Sequence, residues 1–305
     1  MLPFFLLINY RRNAPPEMDK LYNSIKLIEC PRDAMQGWPH FIPTEKKAAY
    51  INALLKVGFD TIDFGSFVSP KAIPQMADTK AVIPKLQLSD SKTKLLSIVA
   101  NLRGAEEAVV YDEISYLGFP FSISPTFQQR NTNSTIEQSL HTVEEIQNLC
   151  IKNQKKLVVY ISMGFGNPYG DQYSEEIVLE WVEQMVEREI EIISIADTVG
   201  LATPHQVSAI LSTLIPYYPN VEIGVHLHST SVNWKQKLDA GMHAGCKRFD
   251  GALKGIGGCP MAGDELVGNM DTELMIPYFK EHALENNLDM EALKECSRMA
   301  SEIFI

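Results

Sequence analysis

The feature that most limits how this chain can fold is an alternation. Eight short β-branched runs, at 25–29, 61–64, 94–100, 120–124, 157–163, 191–196, 221–228 and 248–252, are separated by longer amphipathic stretches. Their spacing of roughly 30 residues is the length of a strand, a helix and two short loops. Each interval therefore reads as one βα unit of a parallel sheet. Eight units predict an α/β chain closed into a (β/α)8 barrel rather than an open doubly wound sheet. No linker rich in Pro, Gly or Ser divides the sequence, so residues 25–305 are expected to form a single domain. After the eighth run comes a Gly-rich loop, then helical sequence from about residue 271 to 305, which predicts extra C-terminal helices.

Local signals agree. Ser174 opens a stretch in which Ile177, Val178, Trp181, Val182, Met185 and Val186 recur in pairs every four residues, one buried stripe of a helix. Thr203 followed by Pro204 is an N-cap with a preorganised first helical residue, and Gly58 ends a helix over 44–57 as a C-cap.

Charge and cysteine content exclude some functions. A formal net charge of -11 repels nucleic acid and anionic lipid, and no basic run interrupts it. A small anion can still bind where a metal or a few Lys and Arg reverse the sign locally. Cys30, Cys150, Cys246, Cys259 and Cys296 are odd in number and lack CxxC spacing, which argues against a disulfide framework and for a reducing, cytoplasmic setting. The only candidate targeting segment is residues 1–10, but its apolar stretch is only about seven residues long and Arg11 and Arg12 follow rather than precede it, the wrong order for a secretory signal. Residues 1–24 read as an extension outside the fold, with Met18 an alternative start. No apolar run approaches the roughly 20 residues that span a bilayer.

The chemistry concentrates at strand ends. In the run 221–228, Val221, Ile223, Val225 and Leu227 share one face, while Glu222, Gly224, His226 and His228 share the other. With the apolar face toward the helices, two imidazoles converge inside the barrel at its catalytic end, which favours metal ligands over satisfied core histidines. Asp33, just past the first run, is one strand removed from them across the closure and within reach of the same ion. One carboxylate, two imidazoles and further oxygens suit Mg²⁺ or Mn²⁺, although spacing alone leaves Zn²⁺ open. The amide oxygen of Asn269 can complete such a sphere. The glycines from Gly255 to Gly258 can form a mobile lid carrying Cys259. Asp63 and Asp197 end the second and sixth runs, where their carboxylates either line the mouth or cap helices.

These residues resemble one family, the 3-hydroxy-3-methylglutaryl-CoA lyases, a branch of the DRE-type TIM barrels that includes isopropylmalate and homocitrate synthases. The resemblance covers about residues 25–275. It rests on Pro31-Arg32-Asp33 with Gln36, Ser66-Phe67-Val68-Ser69-Pro70-Lys71 with Pro74-Gln75-Met76, and Ala100-Asn101-Leu102-Arg103-Gly104. Asp197-Thr198-Val199-Gly200, His226-Leu227-His228 and Gly257-Gly258-Cys259-Pro260 with Gly268-Asn269 complete it. The Ser-Phe-Val-Ser-Pro-Lys loop and the Gly-Gly-Cys-Pro lid are the lyase-specific parts.

The resemblance implies retro-Claisen cleavage of a 3-hydroxyacyl-CoA to acetyl-CoA and a β-keto acid, in a homodimer joined through the surplus C-terminal helices. Asp33, His226, His228 and Asn269 would hold a divalent metal that polarises the tertiary hydroxyl. Arg32 would stabilise the thioester enolate. Cys259 would close over the substrate and take part in proton transfer to the departing carbon, with His226 or Asp33 removing the hydroxyl proton. The sequence departs from the family at Asp63 (usually Glu), Val158 (usually Arg) and Ser229 (usually Asp), and in a lid one residue longer that carries Asp264-Glu265-Leu266. These positions are expected to surround the substrate. The nearest rival is a sister aldolase or Claisen-type synthase, against which Cys259 in its Gly-Gly-Cys-Pro context argues. A catalytically silent acyl-CoA-binding barrel is opposed by the intact Arg32, Asp33, His226, His228, Cys259 and Asn269.

Overall fold

The computed structural model describes residues 25–258, 267–282 and 287–305. Eight parallel strands run in chain order: β1 (Lys26–Glu29), β2 (Thr61–Ser66), β3 (Lys94–Ile98), β4 (Ile114–Ser122), β5 (Lys156–Ser162), β6 (Ile192–Ala196), β7 (Glu222–His226) and β8 (Arg248–Gly251). Each pairs with the next, and β8 pairs back onto β1 through Lys26↔Arg248 and Ile28↔Asp250. The barrel is closed, as the count of eight requires. The fourth strand differs from its expected bounds: it begins at Ile114, six residues before the run starting at 120. Gly118 and Pro120 interrupt its β-branched character, yet Pro120 keeps its place in register opposite Tyr160. Among the described residues no helix is long and apolar enough to cross a membrane.

Strand alternation sorts the side chains into two environments. Ile223 and Val225 of β7, Leu157, Val159 and Ile161 of β5, and Phe249 of β8 face the helices in the large outer core. Each such side chain contributes about 1.5–3 kcal/mol on burial. The barrel interior is itself divided. Leu96, Ile98, Val158, Tyr160 and Ile192 make an inner apolar cluster on the β3–β6 side. The opposite side carries the ionisable groups Asp63, His226, Arg248 and Asp250, of which Asp63, Arg248 and Asp250 are fully buried. The site therefore develops at the polar half of the rim.

The helix signals hold where they can be checked. Ser174 and Thr203 cap Glu175–Val186 and Pro204–Tyr217 through their side chains, and Gly58 closes Thr44–Val57 in the left-handed conformation. The C-terminal sequence forms two helices, Thr272–Glu281 and Met290–Ile303, capped by Asp271 and Asp289. The last buries Leu293, Cys296 and Ala300 and packs along Thr44–Val57. Phe304 beyond it meets Trp38 edge-on at 5.2 Å. This surplus length completes the helical layer around the barrel.

Candidate active site

Three chain segments build the site. β7 ends at His226, but the extended chain continues far enough for His228 to form an antiparallel bridge with Asn269. The Met270 N–H donates to the Leu227 carbonyl at 3.1 Å and the Ser229 N–H to the Gly268 carbonyl at 2.9 Å. The chain returning after β8 thus pairs onto the end of β7, and this delivers Asn269. Asp33 comes from the short helix Pro31–Gln36, which starts one residue beyond β1 with proline at its N-terminus. Candidate ligand atoms of Asp33, His226 and His228 all lie within 4.8 Å of one another.

The atoms present fit a divalent cation. The two Nε2 atoms of His226 and His228 face each other at 3.3 Å, and the Nδ1 of His226 sits 3.2 Å from Asp250. A carboxylate on one ring nitrogen keeps the proton there and leaves the other as a lone pair. The Oδ1 of Asn269 is buried with no protein partner, while its Nδ2 donates to Asp33 at 2.7 Å and to the Ile256 carbonyl at 2.9 Å. Gly257 has φ +117, and a Cβ there would come within 2.4 Å of the Asn269 amide and 3.0 Å of the Asp33 carboxylate. Only glycine allows this approach.

Electrostatics support the same donor set. Burial opposes ionisation of Asp33, but Arg32, the two imidazoles and the Asn269 amide outweigh it and bring its pKa down to about 2. Gln36 and Arg32 also donate to Asp33, at 2.7 and 3.0 Å. Burial, reinforced by the charge of His226, lowers His228 to about 3, so its imidazole is neutral and free to ligate. For His226 burial is again the largest influence, but Asp250 overrides it and raises the pKa.

Other expected residues take different positions. Arg32 lines the cavity and is gripped by Asp63, which accepts from its Nε at 3.0 Å and from its Nη2. Asp63 therefore does not line the mouth: it lies 1% exposed beneath the guanidinium and orients it. Asp197 is not at the mouth either. Its carboxylate accepts from Lys237 at 2.7 Å and from the Ala202 N–H at 2.9 Å, both within the protein. Cys259 and the segment 264–266 lie outside the described residues. Of the other departures, Val158 belongs to the inner apolar cluster below Tyr160, and Ser229 pairs through its backbone with Gly268. Neither Val158, Asp63 nor Ser229 is among the described residues lining the cavity, contrary to the expectation that they surround substrate.

The cavity measures about 440 Å³ and runs from Asp33, His226 and His228 past Arg32, Ser66 and Tyr160 to Arg130 on the helix Pro125–Thr132. Sequence reading missed Asp250 and Tyr160. Asp250 was legible in principle, because strand alternation puts it on the inward face with Arg248, and its register partner is His226. Tyr160 lies on the inner face of β5, its hydroxyl buried without a protein partner and its ring edge-on to His226 at 5.9 Å.

Comparisons with known proteins agree with this architecture. The HMGL-like family model matches residues 25–300. The hydroxymethylglutaryl-CoA lyase YngG of Bacillus subtilis is 31% identical over 272 residues, 89% of this chain and 90% of that protein. The (R)-citramalyl-CoA lyase of Chloroflexus aurantiacus is 29% identical over 273 residues, 87% of this chain and 86% of the relative. A solved HMG-CoA lyase from Acinetobacter baumannii, in complex with coenzyme A and 3-methylmalate, superposes with a TM-score of 0.86 at 31% identity, covering 93% of this chain and 92% of its own. A match over nearly the whole barrel, joined to a polar rim built from β1, β7 and the segment after β8, means that the chain belongs to the HMGL-like family and is a carbon–carbon lyase.

Proposed function

We propose that the protein cleaves 3-hydroxy-3-methylglutaryl-CoA to acetyl-CoA and acetoacetate. The observation that carries this reading is the convergence of Asp33, His226 and His228 at one end of a cavity that Arg32 also lines, beside Asn269, whose amide donates to Asp33 and whose Oδ1 is buried without a protein partner. A divalent cation, Mg²⁺ or Mn²⁺, when bound by these four residues, would polarise the tertiary hydroxyl and lower its pKa. Arg32 would receive the charge that develops on the thioester oxygen as the carbon–carbon bond breaks. Three of its five N–H groups are directed at Asp63 and Asp33, which leaves one on each terminal nitrogen for substrate. Asp63 fixes the plane of the guanidinium, so no reorientation is needed during the reaction.

His226 is assigned as a ligand rather than the base. With Nδ1 held by Asp250, its only lone pair is on Nε2, and one lone pair cannot serve both roles. Cys259, which follows Gly258 in the sequence, is the proposed partner in proton transfer to the departing carbon. An acyl-CoA is strongly anionic while the chain carries a net charge of -11, so its entry needs local cations. Arg130, exposed on the cavity wall, supports that.

The test is to incubate the protein with 3-hydroxy-3-methylglutaryl-CoA and Mg²⁺ or Mn²⁺ and to follow acetoacetate, with EDTA and His226→Ala as controls. Acetoacetate that disappears in both controls supports reaction and substrate together. No product from a protein that still binds metal would move the substrate to another hydroxyacyl-CoA, citramalyl-CoA first, given the similarity to a lyase of that specificity.

A further inference from the structure

Lys237 is an unusual residue to find where it is. It sits on the helix Trp234–His243, it is 1% exposed, and neither end of its side chain reaches solvent or the cavity. Its ammonium donates to Asp197 Oδ2 at 2.7 Å, to the His228 carbonyl at 2.7 Å and to the Gly200 carbonyl at 3.2 Å. All three N–H groups are thereby satisfied inside an oxygen cage. The carboxylate partner is tied into the same strand end: the Asp197 N–H donates to the His226 carbonyl at 2.9 Å, and its second oxygen accepts from the Ala202 N–H.

We propose that Lys237 is a positioning residue for the metal ligands: its buried ammonium, clasped with the Asp197 side chain, holds the His228 carbonyl while the Asp197 N–H holds that of His226, and together they keep the two imidazoles at the spacing one cation requires. The proposal rests on the metal-site reading above. The clasp joins two successive βα units, because Asp197 follows β6, while His226 ends β7, His228 lies just beyond it and Lys237 is on the helix after β7. A strand end is where a barrel chain is freest to splay, and here the returning segment 268–270 pairs with one side of residues 227–229 while Lys237 holds the His228 carbonyl. The two Nε2 atoms lie 3.3 Å apart, and on this proposal the carbonyl contacts of Lys237 and Asp197 are among the bonds that keep them there.

Charge gives a decisive sign. A positive group behind a cation site disfavours cation binding, and removing it exposes the negative Asp197, so electrostatics alone predicts tighter metal binding in its absence. Positioning predicts the opposite. Loss of partners that orient metal ligands typically weakens affinity by about 10- to 100-fold.

The experiment measures Mn²⁺ affinity by electron paramagnetic resonance in wild type and Lys237→Ala, with and without ammonium chloride. Wild type is titrated first: if it binds no Mn²⁺, the metal-site reading itself fails. Given wild-type binding, the proposal expects about 10- to 100-fold weaker affinity in Lys237→Ala. Ammonium, which fills the vacated cage of three oxygens, should substantially restore that affinity, and tetramethylammonium, too large for it, should not. Unchanged or tighter Mn²⁺ binding overturns the proposal, as does a loss that ammonium leaves untouched. Should Lys237→Ala not fold, the pair Lys237→Met with Asp197→Asn removes both charges without leaving one unpaired. It too should bind Mn²⁺ more weakly, and affinity equal to wild type in that variant overturns the proposal.

Discussion

With Nδ1 directed at Asp250, His226 turns Nε2 toward His228, and the orientation of one ring thus depends on an aspartate that does not itself line the cavity. Asp250→Asn keeps the shape but loses the charge that holds the proton on Nδ1. Its Mn²⁺ affinity should fall about 10- to 100-fold, measured by titration with paramagnetic resonance. His228→Ala removes a ligand outright and should lose Mn²⁺ binding. Cys259→Ser should retain the metal and lose most turnover, because its assigned work is on the substrate carbon. Equal metal loss in the two variants would contradict that division.

Among the elements, β1 has a second task at its C-terminal end. Glu29 is 0% exposed on the helix-facing side, where it accepts from the Leu253 N–H at 2.8 Å and from the Thr272 hydroxyl at 2.6 Å. One carboxyl therefore joins β1, the 3-10 turn Leu253–Gly255 and the helix Thr272–Glu281. Burial is the main cause that lifts its pKa from 4.5 to about 8, against the opposing effect of its two hydrogen bonds. Between those two values the folded state holds a proton that the unfolded chain has released. Its contribution to stability is thus full below about pH 4.5 and is lost as pH rises toward 8. Glu29→Gln supplies a permanently neutral side chain. Urea unfolding of the two proteins across this range should show wild type losing stability relative to Glu29→Gln by up to about 1.4 kcal/mol per pH unit. Parallel profiles would show that Glu29 is ionised when folded.

At the scale of the whole molecule, a ligand bound only by the folded barrel shifts the unfolding equilibrium. Mn²⁺ at about 100 times its dissociation constant should add about 2.7 kcal/mol. A thermal melt should show this as a rise of several degrees that EDTA reverses and that His228→Ala lacks. Homodimerisation is proposed from the family resemblance. The last helix turns its apolar stripe onto Thr44–Val57, so a dimer through the C-terminal helices would use their outward surface, where Met290 of the last helix and Leu274 of Thr272–Glu281 are exposed. Light scattering that returns twice 34.2 kDa supports the dimer, and a monomeric mass removes it.

By itself the sequence determined the barrel and the heart of the candidate metal set, because both depend on short-range periodicity. Eight β-branched runs at βα spacing imply closure, and strict alternation from Val221 to His228 sends both imidazoles inward whatever surrounds them. Asp33 was legible for the same reason, lying directly past a strand end. What only the tertiary structure decided are pairings between segments far apart in the chain. Asp63 and Asp197 had the expected place along their strands, but Arg32 and Lys237, 31 and 40 residues distant, turn them into supports buried behind the cavity wall. Asp250 becomes the partner of His226 only when β8 closes beside β7, and Asn269 arrives only because the returning chain pairs with Leu227 and Ser229. A buried carboxylate takes its role from whichever donor satisfies it, and a single sequence carries no record of that donor until the chain is folded.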